Sequence, residues 1–470
     1  MANALTRLLF DPVAPSHEQA PARFRAGGDF RPWVIPAGLG LVALVLGLVG
    51  AFADAQRFFF AYLIAWVFCV SIAVGALFFL MIHHVVKARW MTTLRRIPEA
   101  IVANFPLLGL AGLPILIGMH DLFHWTHAEL YAEGTDTFDY LLAGKAPYFF
   151  FPFAAGTFPF FFVLRYVLYF AVFSYLGLRL YRLSVQNDTA PSAENTFAMR
   201  YTSAWGIPAA GVLAAFASYD FLMSLDPHWF STIFGVYFFA GAWLANVCLM
   251  AMVALWFRQK GLLVNTISNE HLHDLGKWMF GFVVFWAYIF FSQYMLYWYA
   301  NIPEETMWFL KREREGWETI TMALFVFHFA LPFLILLPRL SKRIPALLAV
   351  MAGWLLVMHW VDLFWIAMPA LLPHGDAAYA AATTASEMLA SAAPAVTNPA
   401  TVGTGPSANV IFEPGMHLHV EPARISWIDL SVWVGLFGLF LGATLARFGR
   451  HAITPYNDPY FAEALRFENM

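Results

Sequence analysis

Ten ionisable residues stand within or beside long apolar runs: His120, Asp121, His124, Arg165, Asp220, Asp226, His228, His328, His359 and Asp362. An ionised side chain at the centre of a membrane helix costs up to roughly 2.5–3.5 kcal/mol, so such groups must face protein or water rather than lipid. Asp220 and Asp226 fall in the stretch Tyr219-Asp220-Phe221-Leu222-Met223-Ser224-Leu225-Asp226-Pro227-His228, which has apolar runs on both sides. Asp226 followed by Pro227 reads as a helix start, the carboxylate capping free N–H groups and the proline standing where no N–H bond is needed. Asp220 then lies about one turn before the end of the preceding helix. Two chemistries suit it. It is either a protonatable station, with Asp121 or Asp362 as neighbour, or a packing partner that holds helices together.

The histidines extend the first possibility. His120 and His124 are spaced to share one helical face, and His359 precedes Asp362 by three positions. Imidazole changes charge near neutral pH, which suits His328, deep in its run, to proton transfer as well as to a neutral place in the core. Arg165 keeps its proton and is read instead as a partner for a carboxylate or for carbonyls. Acids and histidines grouped this way suit proton release, or a quinol headgroup whose hydroxyls need a base as electrons leave. The plainer reading of His120 and His124 is a wet, hydrogen-bonded pair at the interface.

The elements that must position these groups are membrane helices. Of 470 residues, 60% are hydrophobic and only 12% charged. The apolar runs are continuous and about 20 residues or longer, which selects an all-α polytopic membrane protein over a transmembrane barrel. Ten spans are expected, at roughly 33–53, 58–86, 101–125, 150–183, 201–225, 227–257, 277–300, 317–337, 344–372 and 426–448. This divides the chain into a tail (1–32), nine spans (33–372), a loop rich in Ala, Pro and Thr (373–425), a tenth span (426–448) and a second tail (449–470). Lys and Arg collect in both tails and the even-numbered loops, including Arg95, Arg96, Arg258, Lys342, Arg343 and Arg450, so both termini are expected in the cytoplasm. Asn301, Pro303 and Glu304-Glu305 suggest a short surface helix with Asn301 as its cap. No cleavable signal peptide is read in the first 32 residues.

Asp220 and Asp362 are each followed seven positions later by a proline, Pro227 and Pro369. This hint of duplication pairs spans two to five with spans six to nine as two four-helix bundles, flanked by spans one and ten. Cofactor signals are weak. Cys69 and Cys248, the two cysteines, lie inside apolar runs, and no span places two histidines about four turns apart as a haem-binding bundle does. His417 and His419 alternate without a third metal ligand.

Longer runs carry a resemblance. Asp226-Pro227-His228-Trp229-Phe230 leads to Gly235-Val236-Tyr237, and His273-Asp274-Leu275-Gly276-Lys277-Trp278-Met279-Phe280 is followed by Phe285-Trp286-Ala287-Tyr288 and Ser292-Gln293-Tyr294. Trp298-Tyr299-Ala300-Asn301-Ile302-Pro303-Glu304-Glu305-Thr306 completes the set. Together they resemble alternative complex III, and within it the second large polysulphide-reductase-type (NrfD-like, ActF-like) membrane subunit, over nearly the whole chain.

The resemblance implies a subunit of a quinol:electron-acceptor oxidoreductase in a bacterial cytoplasmic (inner) membrane, without a redox centre of its own. Haem and iron–sulphur clusters would belong to partner subunits: multihaem cytochromes c and an iron–sulphur protein, beside a sister NrfD-like subunit and in some assemblies a terminal oxidase. The family places quinol oxidation on the sister subunit and proton half-channels on both; whether this chain itself takes quinol stays open. Nothing points to nucleic acid. The other readings are a stand-alone secondary transporter, which ten spans and a duplication also permit, and a haem-bearing membrane anchor.

Overall fold

A computed structural model describes residues 31–135, 137–371 and 422–468. The first tail up to residue 30 and nearly all of the 373–425 loop, with His417 and His419, lie outside the described residues. Among those described, every regular element is helical, and ten helices are long and apolar enough to cross a membrane. They are α1 (Val34–Ala51), α2 (Ala55–Val85), α3 (Arg96–Ile117), α4 (Phe160–Thr189), α5 (Ala193–Leu225), α6 (Phe234–Gln259), α7 (Asn269–Ala300), α8 (Trp317–Leu336), α9 (Pro345–Ala370) and α10 (Trp427–Gly449). The protein is therefore an all-α, multi-pass integral membrane protein.

Local sequence sets several of the starts. Asp54 caps α2 by accepting the Arg57 N–H, and Ser192 caps α5 through the Glu194 N–H. Ser268 with His271 and Ser426 with Asp429 close reciprocal capping boxes on α7 and α10. Pro106 and Pro114 each open a new helical segment within α3, which is built of short pieces for that reason.

Helix α2 is the axis, with its apolar stretch wholly buried. It packs on α3 and α5 in one bundle and on α6 of the other, and α6 in turn packs on α7 and α9. The two first helices touch where Gly75 meets α6: a Cβ at Gly75 would stand 2.1 Å from the Ala242 carbonyl oxygen. Helices α1 and α10, the flanking spans, lie side by side. They pack on each other and, through α10, on α2, at a glycine-lined contact in which Gly40 faces Leu439 and Gly435 faces Leu44.

The described residues of the odd-numbered loops meet at one end of the bundle, and the even-numbered loops at the other. At the odd end Arg57 pairs with Asp429 at 2.7 Å and donates to the Arg424 carbonyl. At the even end Arg95 pairs with Glu99 at 2.9 Å and with Asp458 at 2.8 Å, while Arg96 pairs with Asp188 at 2.7 Å. The segment after α10 thus docks on the bundle, with Ile453, Asp458, Phe461 and Ala464 buried.

Four local expectations are corrected. Asp226 does not start a helix: α6 begins at Phe234, and the Asp226 carboxylate is taken by Lys311 Nζ at 2.7 Å. The fourth span, expected from residue 150, begins only at Phe160, and a separate helix the sequence reading did not expect, Tyr140–Phe150 capped by Asp139, precedes it with Pro152 and Pro159 between the two. Asn301 ends α7 in a left-handed conformation (φ 48°) instead of capping the short helix Pro303–Leu310. His120 and His124 do not share a helical face, because the helix stops at Leu122 and Phe123 is extended.

Candidate functional site

Two buried carboxyl groups inside membrane-spanning helices, Asp220 in one half and Asp362 in the other, have surroundings that differ in kind. Asp220, on α5, receives four hydrogen bonds. Arg165 on α4 gives two, Nε to Oδ2 and Nη2 to Oδ1, both at 2.8 Å. Tyr148 Oη donates to Oδ1 at 2.9 Å and Tyr169 Oη to Oδ2 at 2.6 Å. The guanidinium also donates to the Tyr148 carbonyl at 2.6 Å and lies over the Tyr148 ring at 4.0 Å. The pair is bidentate, fork to fork, and each carboxylate oxygen accepts two hydrogen bonds. Neither Asp121, exposed beyond α3, nor Asp362 is among these partners.

Asp362, on α9, is 2% exposed and accepts from neutral donors: Tyr237 Oη on α6 at Oδ1, and Trp286 Nε1 on α7 at Oδ2 at 3.1 Å. One turn earlier on α9, His359 is 2% exposed, and its Nε2 meets Ser71 Oγ of α2 at 2.8 Å. His328 is fully buried against Trp286, the ring centroids 4.0 Å apart and the planes tilted by 36°. Among the described residues no group bonds either His328 nitrogen or His359 Nδ1. His328 sits in a π-helical segment, Leu324–Ala330, the widened turn that frequently marks functional sites. A cavity of about 10 Å³ adjoins this group, lined by Leu222, Phe234, Tyr237, Gly241, His359 and Asp362 among others. Leu222 also lines a second, apolar cavity against α2.

Neutral donors such as Tyr237 and Trp286 can serve a carboxyl group with or without its proton, whereas the Arg165 fork serves only the anion. The two carboxyl groups thus differ in the charge of their partners, a guanidinium for Asp220 and uncharged donors for Asp362.

Between these centres and the surface lies a layer of charged and imidazole groups from the odd loops. His228 Nε2 meets Asp139 Oδ2 at 2.5 Å, and Lys145 donates to the Pro227 carbonyl at 2.5 Å. His124 lies 6.1 Å from the His228 ring and 6.1 Å from that of His127, which stacks on His120 at 4.1 Å. Burial, helped by the neighbouring His228 and His127, pulls His124 down to about 4. Burial opposes ionisation of Asp226 too, but Lys311 and His228 outweigh it and hold the acid at about 2. Asp139 is likewise lowered against its burial by the hydrogen bond and charge of His228.

Arg312 completes this layer. Its guanidinium lies 3.4 Å over the Trp308 ring and donates to the carbonyls of Trp308 at 2.6 Å, Trp365 at 3.0 Å and Ile366 at 2.6 Å, so a cation caps the carbonyl end of α9. Burial lowers it to about 9.

Sequence reasoning missed Tyr148, Tyr169, Tyr237, Trp286, Ser71 and Arg312. Asp139 alone carried a local signal, an Asp just ahead of a helical run. Among the described residues, no three His, Cys, Asp or Glu side chains are gathered as a metal ion requires.

Fold and site together define a ten-span integral membrane protein in which Asp220 on α5 is paired with a charge and Asp362 on α9 is bonded by neutral donors. No protein-family model matches the chain, and comparison with curated proteins finds no match.

Proposed function

We propose that this chain is a structural and proton-conducting membrane subunit of a quinol-oxidising respiratory complex of the alternative complex III kind, in a bacterial cytoplasmic membrane. The observation that carries the proton-conducting part is the setting of Asp362, buried with neutral donors and one turn from His359. The resemblance in the Asp226–Tyr237 and His273–Thr306 runs supports the respiratory part, as does the ten-span fold. In this reading Asp362, His359 and His328 relay protons, the odd-end layer around His228, Asp226 and His124 exchanges them with water, and Arg165–Asp220 holds the first bundle rigid. Electron transfer belongs to partners: multihaem cytochromes and an iron–sulphur subunit, beside a sister NrfD-like subunit.

Gentle detergent extraction with a tag on this chain tests the assembly, and multihaem subunits are expected to co-purify. A colourless homo-oligomer overturns the respiratory reading. In the assembled complex, Asp362→Asn removes the titrating group while keeping its size, and is expected to abolish proton uptake coupled to quinol oxidation. Undiminished uptake overturns the relay.

A further inference from the structure

The side chains around Gly241 leave a specific gap. Ser71 Oγ donates its single hydrogen to the Phe68 carbonyl at 2.8 Å, so it must accept from His359 Nε2, also at 2.8 Å. In the neutral imidazole this assigns the proton to Nε2 and leaves Nδ1 as a bare acceptor. Nδ1 is buried with no bonding partner among the described residues, at a cost of roughly 1–3 kcal/mol for an unsatisfied polar group. It faces Gly241 of α6: a Cβ on that glycine would stand 3.0 Å from His359 Nδ1, 2.9 Å from His359 Cε1 and 4.0 Å from Asp362 Oδ2. The His359 ring therefore packs directly against the bare Cα, and a methyl group would crowd the imidazole and the space beside it. The same three residues line the cavity of about 10 Å³, room for the centre of one water molecule.

We propose that Gly241 is kept side-chain-free to hold a single buried water that donates to His359 Nδ1 and bonds Asp362. Tyr237 and Trp286 already fix the carboxyl group, and Ser71 fixes the imidazole, so the water meets two oriented partners. Proton transfer through it balances simply. Protonated Asp362 gives its proton to the water as the water gives one of its own to Nδ1, leaving a carboxylate, an imidazolium and an unchanged water; the reverse step resets the site. Functionally this deepens the relay proposed above and rests on it, but the water site itself rests on geometry alone.

A cryo-EM map of the protein in its native assembly, at a resolution where ordered waters are visible, decides the matter. The expected result is density within hydrogen-bonding distance of both His359 Nδ1 and Asp362. That density is expected to be lost in Gly241→Ala and kept in Gly281→Ala, whose Cβ would meet nothing within 4 Å. A native map with the gap dry, or with Nδ1 bonded to a protein group, overturns the proposal even if the glycine variants fail to fold. Water present while Asp362→Asn conducts normally upholds the site and removes the relay, so the two ideas fail separately.

Discussion

Arg165 and Asp220 meet fork to fork, with two parallel N–H···O bonds of 2.8 Å joining α4 to α5 at side chains that are 9% and 1% exposed. Removing one partner of a buried pair costs about 3–5 kcal/mol, because the other charge is stranded. Asp220→Asn is therefore expected to destabilise the protein by about that amount, while Asp362→Asn, which strands no charge, loses about one hydrogen bond, or about 1 kcal/mol. Thermal unfolding in detergent ranks the two. In a double-mutant cycle, Arg165→Met with Asp220→Leu should cost much less than the sum of the single changes. Additive costs would mean that the pair contributes little.

The crossing of α2 and α6 at Gly75 predicts a steep steric response. A methyl group there collides with the Ala242 carbonyl oxygen, and overpacking of this sort costs about 1–3 kcal/mol. Gly75→Ala should lower the melting temperature clearly, whereas Gly353→Ala, whose Cβ would meet only Met252 at 3.9 Å, should not. Equal melting temperatures would show that the two first helices do not touch as described.

Acid should weaken the odd end in a defined window. His124, held near 4 when folded, returns to about 6.5 when unfolded, so between those values the unfolded chain binds the extra proton and stability falls as pH falls. His228, His127, Asp139 and Asp226 all face it, and Asp226, held near 2, adds a second loss below about 4. His124→Phe should reduce the pH dependence of the melting temperature between 6.5 and 4, where His127, also lowered by burial, keeps a share, and should leave the lower limb. An unchanged upper limb would assign it to another group.

Opposite ends of the bundle should react on opposite faces of the membrane. Cys69 and Cys248 are buried, so single cysteines placed at Lys87 and at Glu129 can be read without background. Labelling by an impermeant reagent is expected only at 129 in intact cells and at 87 once the membrane is opened, as the basic even-numbered loops require. The reverse pattern would invert the topology.

How far the sequence reached follows from the range of each signal. An apolar run of about 20 residues is a one-dimensional statement, and all ten spans were legible from it. Arg165 was read as a carboxylate partner because a guanidinium cannot shed its charge, but which carboxylate was not legible, since Asp220 is brought to it by packing of α4 on α5. Tyr148, Tyr169, Tyr237 and Trp286 were lost among the many aromatic residues expected in any membrane protein. Asp226 was misread for the opposite reason. Its local sequence is that of a helix start, and Lys311, eighty-five positions away, takes the carboxylate instead.

The docking of the last segment on the even end sets an order of assembly. Arg95 and Arg96 leave the ribosome before Asp458, the counter-charge that completes the Arg95 site, and before α10, which seals the flank of α2 and supplies the partner of α1. Until then the first bundle carries an unfinished charge site and an uncovered apolar wall. A chain stalled before Trp427 therefore leaves Arg95 short of one carboxylate and α2 bare on the side that α10 packs against.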